Sequence, residues 1–267
     1  MKKIFLTLLL IILSITLIIL GFIYFFQEKL IFFPEKVEEN FKFTFDQRFE
    51  EIRIQTADKK QLSGLLFKAD SSRGLIFYLH GNAGSLRSWG EVAKTYTLLG
   101  YDVFMLDYRG YGKSEGSIQS EEQLFQDDQM AYDQLKNTYD ENKIVVLGYS
   151  IGTGLAAKLA STNHPKMLIL QAPFFNMKDL IGHINPLIPT FVLKYRFETN
   201  KFISECKMPV CLFHGTNDEV IYYHSSEKLL ELVKENGRLI SLEGQGHNGM
   251  SDNPDYLTWI EKVLSGL

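Results

Sequence analysis

Cysteine is almost absent, with two residues in 267. A fold stapled by disulfides is therefore excluded, and so is a thiolate-built zinc or iron–sulfur site. Cys206 and Cys211 lie close together, but they are expected neither to pair nor to do chemistry. Positive charge is not in excess either. Twenty-eight basic and 32 acidic residues give a net charge of −4. Polyanion binding needs a basic field, so no nucleic-acid partner is expected. No internal repeat or low-complexity stretch is visible. A composition that is 45% hydrophobic and 22% charged excludes a disordered or collagen-like chain.

Charge is missing altogether from one stretch. Residues 4–26, IFLTLLLIILSITLIILGFIYFF, contain none over 23 positions. As a helix rising ~1.5 Å per residue they reach roughly 34 Å, enough to cross a hydrocarbon core of ~30 Å. A helix buried in a soluble core would carry a polar stripe, and this one has none. A cleavable signal peptide is the competing reading, with Lys2 and Lys3 as its positive start. The apolar run exceeds the ~7–15 residues of such a segment, and no small-x-small site follows Gly21. Residues 1–26 are thus expected to be an uncleaved transmembrane anchor, 27–50 a connector and 51–267 the globular unit. Lys29, Lys36 and Lys42 follow the span, so the positive-inside count is balanced. The Lys-Lys start, with no domain ahead of it, favours a globular unit on the non-cytoplasmic side. Taking Lys2 and Lys3 from the 28 basic residues leaves 26 against 32 acidic, a net −6. That fits a soluble acidic domain.

Two rhythms follow the anchor. Phe41, Phe43 and Phe45 alternate with polar residues, which predicts a half-buried strand. Residues 51–56 and 62–68 read as an antiparallel pair. Then come short, continuous apolar runs at Leu75–Leu79, Val103–Leu106, Ile144–Leu147, Met167–Leu170, Val210–Phe213 and Leu239–Leu242. Such runs suit strands buried on both faces. Helical patterns lie between most of them. Ser120-Glu-Glu-Gln123 fits a capping box. Ser225–Asn236 reads as a helix stopped by Gly237, and Asp252–Leu267 as a last helix. The fold class is α/β: a mostly parallel central sheet with helices on both faces. Residues 173–200 break the rhythm with three prolines and many large apolar groups. They are expected to form a short lid.

Ligands of such a sheet bind beyond the carboxyl ends of its strands. After Ile144–Leu147 stands Gly148-Tyr149-Ser150-Ile151-Gly152, a G-x-S-x-G between a strand and a helix. That turn projects the serine hydroxyl, and a Cβ at either flanking glycine would collide with it. A phosphate-binding glycine loop is the alternative. The spacing of Gly148, Gly152 and Gly154 does not fit one, and no Gly-Lys-Ser/Thr follows. A nucleophilic serine needs a base and an orienting acid. Asp218 follows the run ending at Phe213, and His247 follows the last strand. Both lie on loops at the Ser150 edge. Asp179, Glu219 and Asp252 are the other available acids. His80 and His214 each follow a strand and precede glycine, so structural hydrogen bonding is expected of them. Acyl transfer also needs oxyanion donors. The Ile151 amide is one, and the Asn82 amide of His80-Gly81-Asn82-Ala83-Gly84 is the other. Asp107–Ser114 is expected to brace the site by ion pairing.

HGNAG, DYRGYGKSEG, GYSIG, HGTND and GQGH, in that order, resemble the motifs of the α/β-hydrolase superfamily. More narrowly, the chain is similar to its membrane-anchored serine hydrolases, the lysophospholipase and depalmitoylase-like group. The resemblance covers about residues 50–265, and LIFFP after the span is similar too. It implies an α/β-hydrolase fold, a triad of Ser150, Asp218 and His247, and an oxyanion hole at Asn82 and Ile151. It implies no metal or organic cofactor. Its two-step mechanism cleaves an ester or thioester through an acyl-enzyme. With an anchor and an apolar lid, lipid esters or acylated molecules near a membrane are the expected substrates. An amidase or peptidase with the same triad is the alternative, followed by a catalytically inactive membrane-tethered binding protein.

Overall fold

The computed structural model describes residues 2–233 and 235–266. Helix α1 (Lys2–Phe25) and the short α2 (Gln27–Ile31) come first, followed by strands β1 (Phe33–Pro34), β2 (Phe49–Gln55), β3 (Gln61–Phe67), β4 (Leu75–Leu79) and β5 (Ala83–Gly84). Helices α3 (Leu86–Trp89) and α4 (Ala93–Thr97) lead to β6 (Asp102–Leu106), α5 (Glu121–Lys136) and β7 (Ile144–Tyr149). Then follow α6 (Gly152–Ser161), β8 (Met167–Gln171), α7 (Met177–Ile184) and α8 (Thr199–Glu205). The chain closes with β9 (Val210–Gly215), α9 (His224–Leu232), β10 (Gly237–Leu242) and α10 (Pro254–Ser265).

Eight strands form one sheet in the order β10-β9-β8-β7-β4-β6-β3-β2. β3 is antiparallel to both neighbours, and the remaining pairs are parallel. The continuous apolar runs are explained by cover on both faces. Phe77, Val146, Leu170 and Leu212 pack against residues of α5, α6 and α8, such as Tyr132, Leu155 and Ile203. Tyr78, Leu147, Ile169 and Phe213 pack the other way, against Tyr96, Tyr256 and Ile260. Each such side chain contributes roughly 1.5–3 kcal/mol by leaving water. Helix α5 begins where the capping pattern placed it. Ser120 accepts from the Gln123 amide, while the Gln123 side chain reaches back to the Gln119 N–H.

The strand order fixes where a site can form. β4 lies between β6 and β7, so the chain turns one way from β4 and then the other. That reversal opens a crevice at the carboxyl ends of β4 and β7. The loops carrying Asn82 and Ser150 both start there.

Two local expectations are corrected. Residues 41–45 form no strand. Their three phenylalanines instead make an aromatic ladder, with Phe43 stacked on Phe45 at 6.0 Å and Phe45 edge-on to Phe67 at 5.2 Å. Burial of alternate rings produced the period of two without a ladder of hydrogen bonds. Helix α9 ends at Leu232, and Gly237 opens β10 rather than stopping a helix. A Cβ at Gly237 would lie 2.5 Å from a Val233 methyl, so that glycine serves a close approach.

No residue of α1 is buried, although its face is almost wholly apolar. One apolar N-terminal helix is consistent with a single-pass membrane anchor. Helix α2 docks firmly. The buried Gln27 donates to the Val192 carbonyl (3.0 Å) and accepts from the Lys194 amide (2.7 Å). Glu28 accepts from Lys194 Nζ and the Tyr195 hydroxyl. Residues 173–200 are therefore held against the start of the chain, with α7 capped by Asn176.

Candidate active site

The turn between β7 and α6 sets Ser150 at φ 53°, in the left-handed region. An L-residue pays about 1–2 kcal/mol for that conformation. Backbone bonds hold it: the Ser150 N–H donates to Gln171 O, and the Thr153 N–H to Ser150 O, both at 2.9 Å. The flanking glycines are needed for space. A Cβ at Gly148 would fall 2.4 Å from Gly152 O, and one at Gly152 would fall 2.2 Å from Leu79 O. The serine is thereby pressed against the end of β4.

The loops after β9 and β10 deliver Asp218 and His247 to this turn. His247 Nε2 lies 3.0 Å from Ser150 Oγ, and Nδ1 lies 2.8 Å from Asp218 Oδ2. Asp218 Oδ1 also accepts from the Val220 and Ile221 amides. Burial alone would raise the Asp218 carboxyl. Hydrogen bonds from His214 and His247, with the Coulomb attraction of His247, override it and hold the group well below the usual carboxylate range. An ionised Asp218 requires a proton on Nδ1, which leaves Nε2 free to accept the serine hydroxyl.

Four contacts around this loop pair had no sequence signal. His214 Nε2 approaches Asp218 Oδ2 at 3.3 Å, while its Nδ1 meets Ser226 Oγ at 2.6 Å. The Tyr149 hydroxyl donates to the His247 carbonyl. Glu219 accepts from the His247 amide rather than its ring, at 3.2 Å. Of the other acids, Asp179 binds Tyr222 and Lys228, and Asp252 lies in the short turn before α10. Among the acids of the described residues, Asp218 alone meets the His247 ring.

On the β4 side, among the described residues the Ile151 and Asn82 N–H groups have no hydrogen-bond acceptor. The Asn82 side chain is tied down. Its Nδ2 donates to Ile31 O, and the Tyr111 hydroxyl donates to Asn82 O at 2.6 Å. His80 Nδ1 lies 2.7 Å from Gly81 O, which fixes the peptide whose N–H belongs to Asn82. Burial pushes His80 down to about 4 and the neighbouring Asp107 up to about 8, so both are uncharged at neutral pH. Asp107 Oδ1 accepts from the Leu86 amide.

The following residues brace this region. Arg109 grips Asp127 through Nε (2.5 Å) and Nη2 (2.9 Å), and grips Asp58 through both Nη atoms at 2.8 Å. Cys206 and Cys211 are free and buried, and burial pushes both thiols up to about 12. They are therefore inert thiols. Among the described residues no group of His, Cys, Asp and Glu is arranged to hold a metal ion.

Residues 70–202 match the family model described as "Serine aminopeptidase, S33". Protein bem46 of Schizosaccharomyces pombe is 35% identical over 226 residues, covering 78% of this chain and 75% of that protein. The lysophosphatidylserine lipase ABHD12 of Danio rerio is 30% identical over 190 residues, covering 63% of this chain and 50% of its own length. The Pyrococcus furiosus esterase Pf2001 superposes with a TM-score of 0.69 at 20% identity, covering 88% of this chain and 97% of its own. That last likeness speaks for the fold. With the sheet order, the elbow turn and the match to bem46 together, the chain belongs to the α/β hydrolases.

Proposed function

We propose that the protein is a serine hydrolase that cleaves carboxylic esters or thioesters of acyl lipids or acylated molecules at a membrane. The relay from Ser150 Oγ to His247 Nε2 (3.0 Å) and from Nδ1 to Asp218 (2.8 Å) carries this reading. Ser150 attacks the carbonyl carbon as His247 takes its proton. The oxyanion is held by the Ile151 and Asn82 amides. As the tetrahedral intermediate collapses, His247 returns the proton to the leaving alcohol or thiol. Water, deprotonated by the same imidazole, then releases the acid and restores Ser150.

Residues 173–200 act as the lid, and 1–26 as the anchor of a unit spanning 51–267, joined by 27–50. In the lid Ile184, Leu187 and Phe191 are 59%, 88% and 80% exposed. The same segment is tied to the first residue after the anchor, where Gln27 donates to the Val192 carbonyl. Apolar side chains displayed beside a membrane helix favour lipid substrates over small polar esters. The globular unit lies on the non-cytoplasmic side.

A fluorophosphonate probe tests the chemistry. The full chain should be labelled, and Ser150→Ala should not be. An unlabelled wild-type chain would sink the reading in favour of an inactive binding protein. Peptide cleavage is the second reading, supported by the description of the matched family model. It predicts turnover of aminoacyl amides at rates comparable with those of long-chain esters.

A further inference from the structure

A cavity of about 610 Å³ lies at the membrane end of the molecule rather than at Ser150, within the ~300–1,000 Å³ of small-ligand sites. Its apolar wall is built from Phe25 and Phe26 at the end of the anchor helix, Phe32 and Pro34 just after it, and Tyr111 and Ile118. Three cations also border it: Lys29, Arg109 and Lys194. Two are already neutralised, Arg109 by Asp58 and Asp127 and Lys194 by Glu28. Lys29 forms no ion pair among the described residues, and its Nζ lies 5.7 Å from the Phe26 ring centre.

We propose that this cavity is a second lipid site, which takes the acyl chain of a single-chain anionic lipid from the bilayer and holds its head group at Lys29. The argument rests on continuity. The cavity begins where an exposed apolar helix of 24 residues ends, so its opening lies at the level of the lipid head groups. An acyl chain can pass from bilayer to cavity without crossing water, which neither a polar ligand nor a protein segment would exploit. The unpaired ammonium at the mouth supplies charge complementarity.

The site bears on the chemistry through one side chain. Tyr111 borders the cavity, while its hydroxyl donates to Asn82 O (2.6 Å) and Asn82 Oδ1 (3.2 Å). An occupant that fills the space beside this buried residue steadies the loop carrying the Asn82 amide. This last link rests on the hydrolase reading, whereas the binding site does not.

The experiment uses the full-length Ser150→Ala chain in nanodiscs and lysophosphatidic acid with a diazirine at the end of its acyl chain. After irradiation, adducts are mapped by peptide mass spectrometry. Adducts should fall within residues 25–34 and 109–119. Lys29→Glu should lower their yield at least fivefold, and should leave the yield with a diazirine monoacylglycerol unchanged. Ile118→Trp, which fills the cavity, should lower both. Fluorophosphonate labelling of Ile118→Trp on the Ser150 background reports that this variant is folded. Adducts confined to residues 173–200, or yields equal in all variants, would overturn the lipid site while leaving the hydrolase intact. Equal competition by an uncharged detergent would overturn the anionic head group. Wild-type protein that binds lipid here but takes no fluorophosphonate would overturn the hydrolase reading alone.

Discussion

The side-chain amide of Asn82 donates to the backbone carbonyl of Ile31, 51 positions earlier. The chain just beyond the anchor is thereby laced to the loop after β4. Pairing of β1 with β5 and the contacts of Glu35 with Ser85 and Arg87 continue the seam. Asn82→Ala separates two roles, because it keeps the backbone N–H and removes the tie to Ile31, together with the longer Tyr111 contact at Oδ1. If the tie holds that donor in place, kcat should fall roughly 10-fold with KM little changed, since an oxyanion contact acts mainly in the transition state. Tyr111→Phe should behave alike. Steady-state kinetics on a long-chain ester would check this, and an unchanged kcat in both variants would show that the loop holds its shape unaided.

Two buried groups beneath that loop give the fold a pH signature. Asp107 is raised to about 8 by burial, against ~3.9 in an unfolded chain. The folded state keeps a proton that the unfolded chain releases, so stability falls as pH climbs through this window. His80 is lowered by burial to about 4, against ~6.5 unfolded. There the unfolded chain takes the proton first, so stability falls as pH drops below ~6.5. Below ~6.5 the two slopes oppose each other, and above it only the Asp107 slope remains. Asp107→Asn retains an acceptor for the Leu86 amide and abolishes that slope. Its stability advantage should widen by about 2–3 kcal/mol between pH 5.5 and 8.5, or roughly 5–10 °C in Tm. Thermal melts at the two pH values would decide it, and a constant gap would mean that Asp107 is charged throughout.

Strain at the elbow is measurable in the same way. Ser150 sits at φ 53°, where an L-residue costs about 1–2 kcal/mol. Glycine escapes that cost but loses ~0.5–1 kcal/mol of chain entropy. Ser150→Gly should therefore melt above Ser150→Ala by about 0.5–1 kcal/mol, a reversal of the usual ranking. Both lack the hydroxyl, so loss of labelling cannot confuse the comparison. A glycine variant that melts below the alanine variant would show that the turn is relaxed.

Much of this architecture was legible because its signals are local. Strands such as Leu75–Leu79 read correctly, since both faces are covered and polar alternation is absent. The Ser120 cap read correctly because its partner, Gln123, is three residues away. Ser150, Asp218 and His247 were legible as residues on particular loops, because parallel strands bring every such loop to one edge. What failed depended on distant neighbours. Phe41, Phe43 and Phe45 mimicked a strand because Phe67 and the turn at Gly90 lie beneath them, and a Cβ at Gly90 would sit 2.3 Å from the Phe45 ring. Gly237 resembled a helix stop because its crowding by Val233 cannot be read from residue type. His214 was expected to do structural work, but nothing in its spacing pointed to the carboxylate it meets.

That contact supports the last prediction. Asp218 has two imidazole neighbours, His247 at 2.8 Å and His214 at 3.3 Å. Hydrogen bonds from both hold its carboxyl well below the ordinary range. Asp218→Asn should lower kcat by about 10⁴, because a neutral amide no longer dictates the His247 tautomer. His214→Phe keeps the acid and removes one donor, so the carboxyl should rise toward ~3.9. Ionised Asp218 would then be lost at a higher pH, and the acid limb of kcat/KM should move upward. Because the carboxyl rises no further than ~3.9, the loss of rate should be several-fold only below about pH 3.5 and negligible at pH 5 and above. A depressed carboxyl also adds stability above its unfolded value that is lost as pH falls, so His214→Phe should unfold at a milder acid pH. His214→Gln, which can still donate to Asp218, should recover part of both. Equal losses for Phe and Gln at every pH would mean that His214 only fills space, and that His247 and the Val220 and Ile221 amides suffice to keep Asp218 ionised.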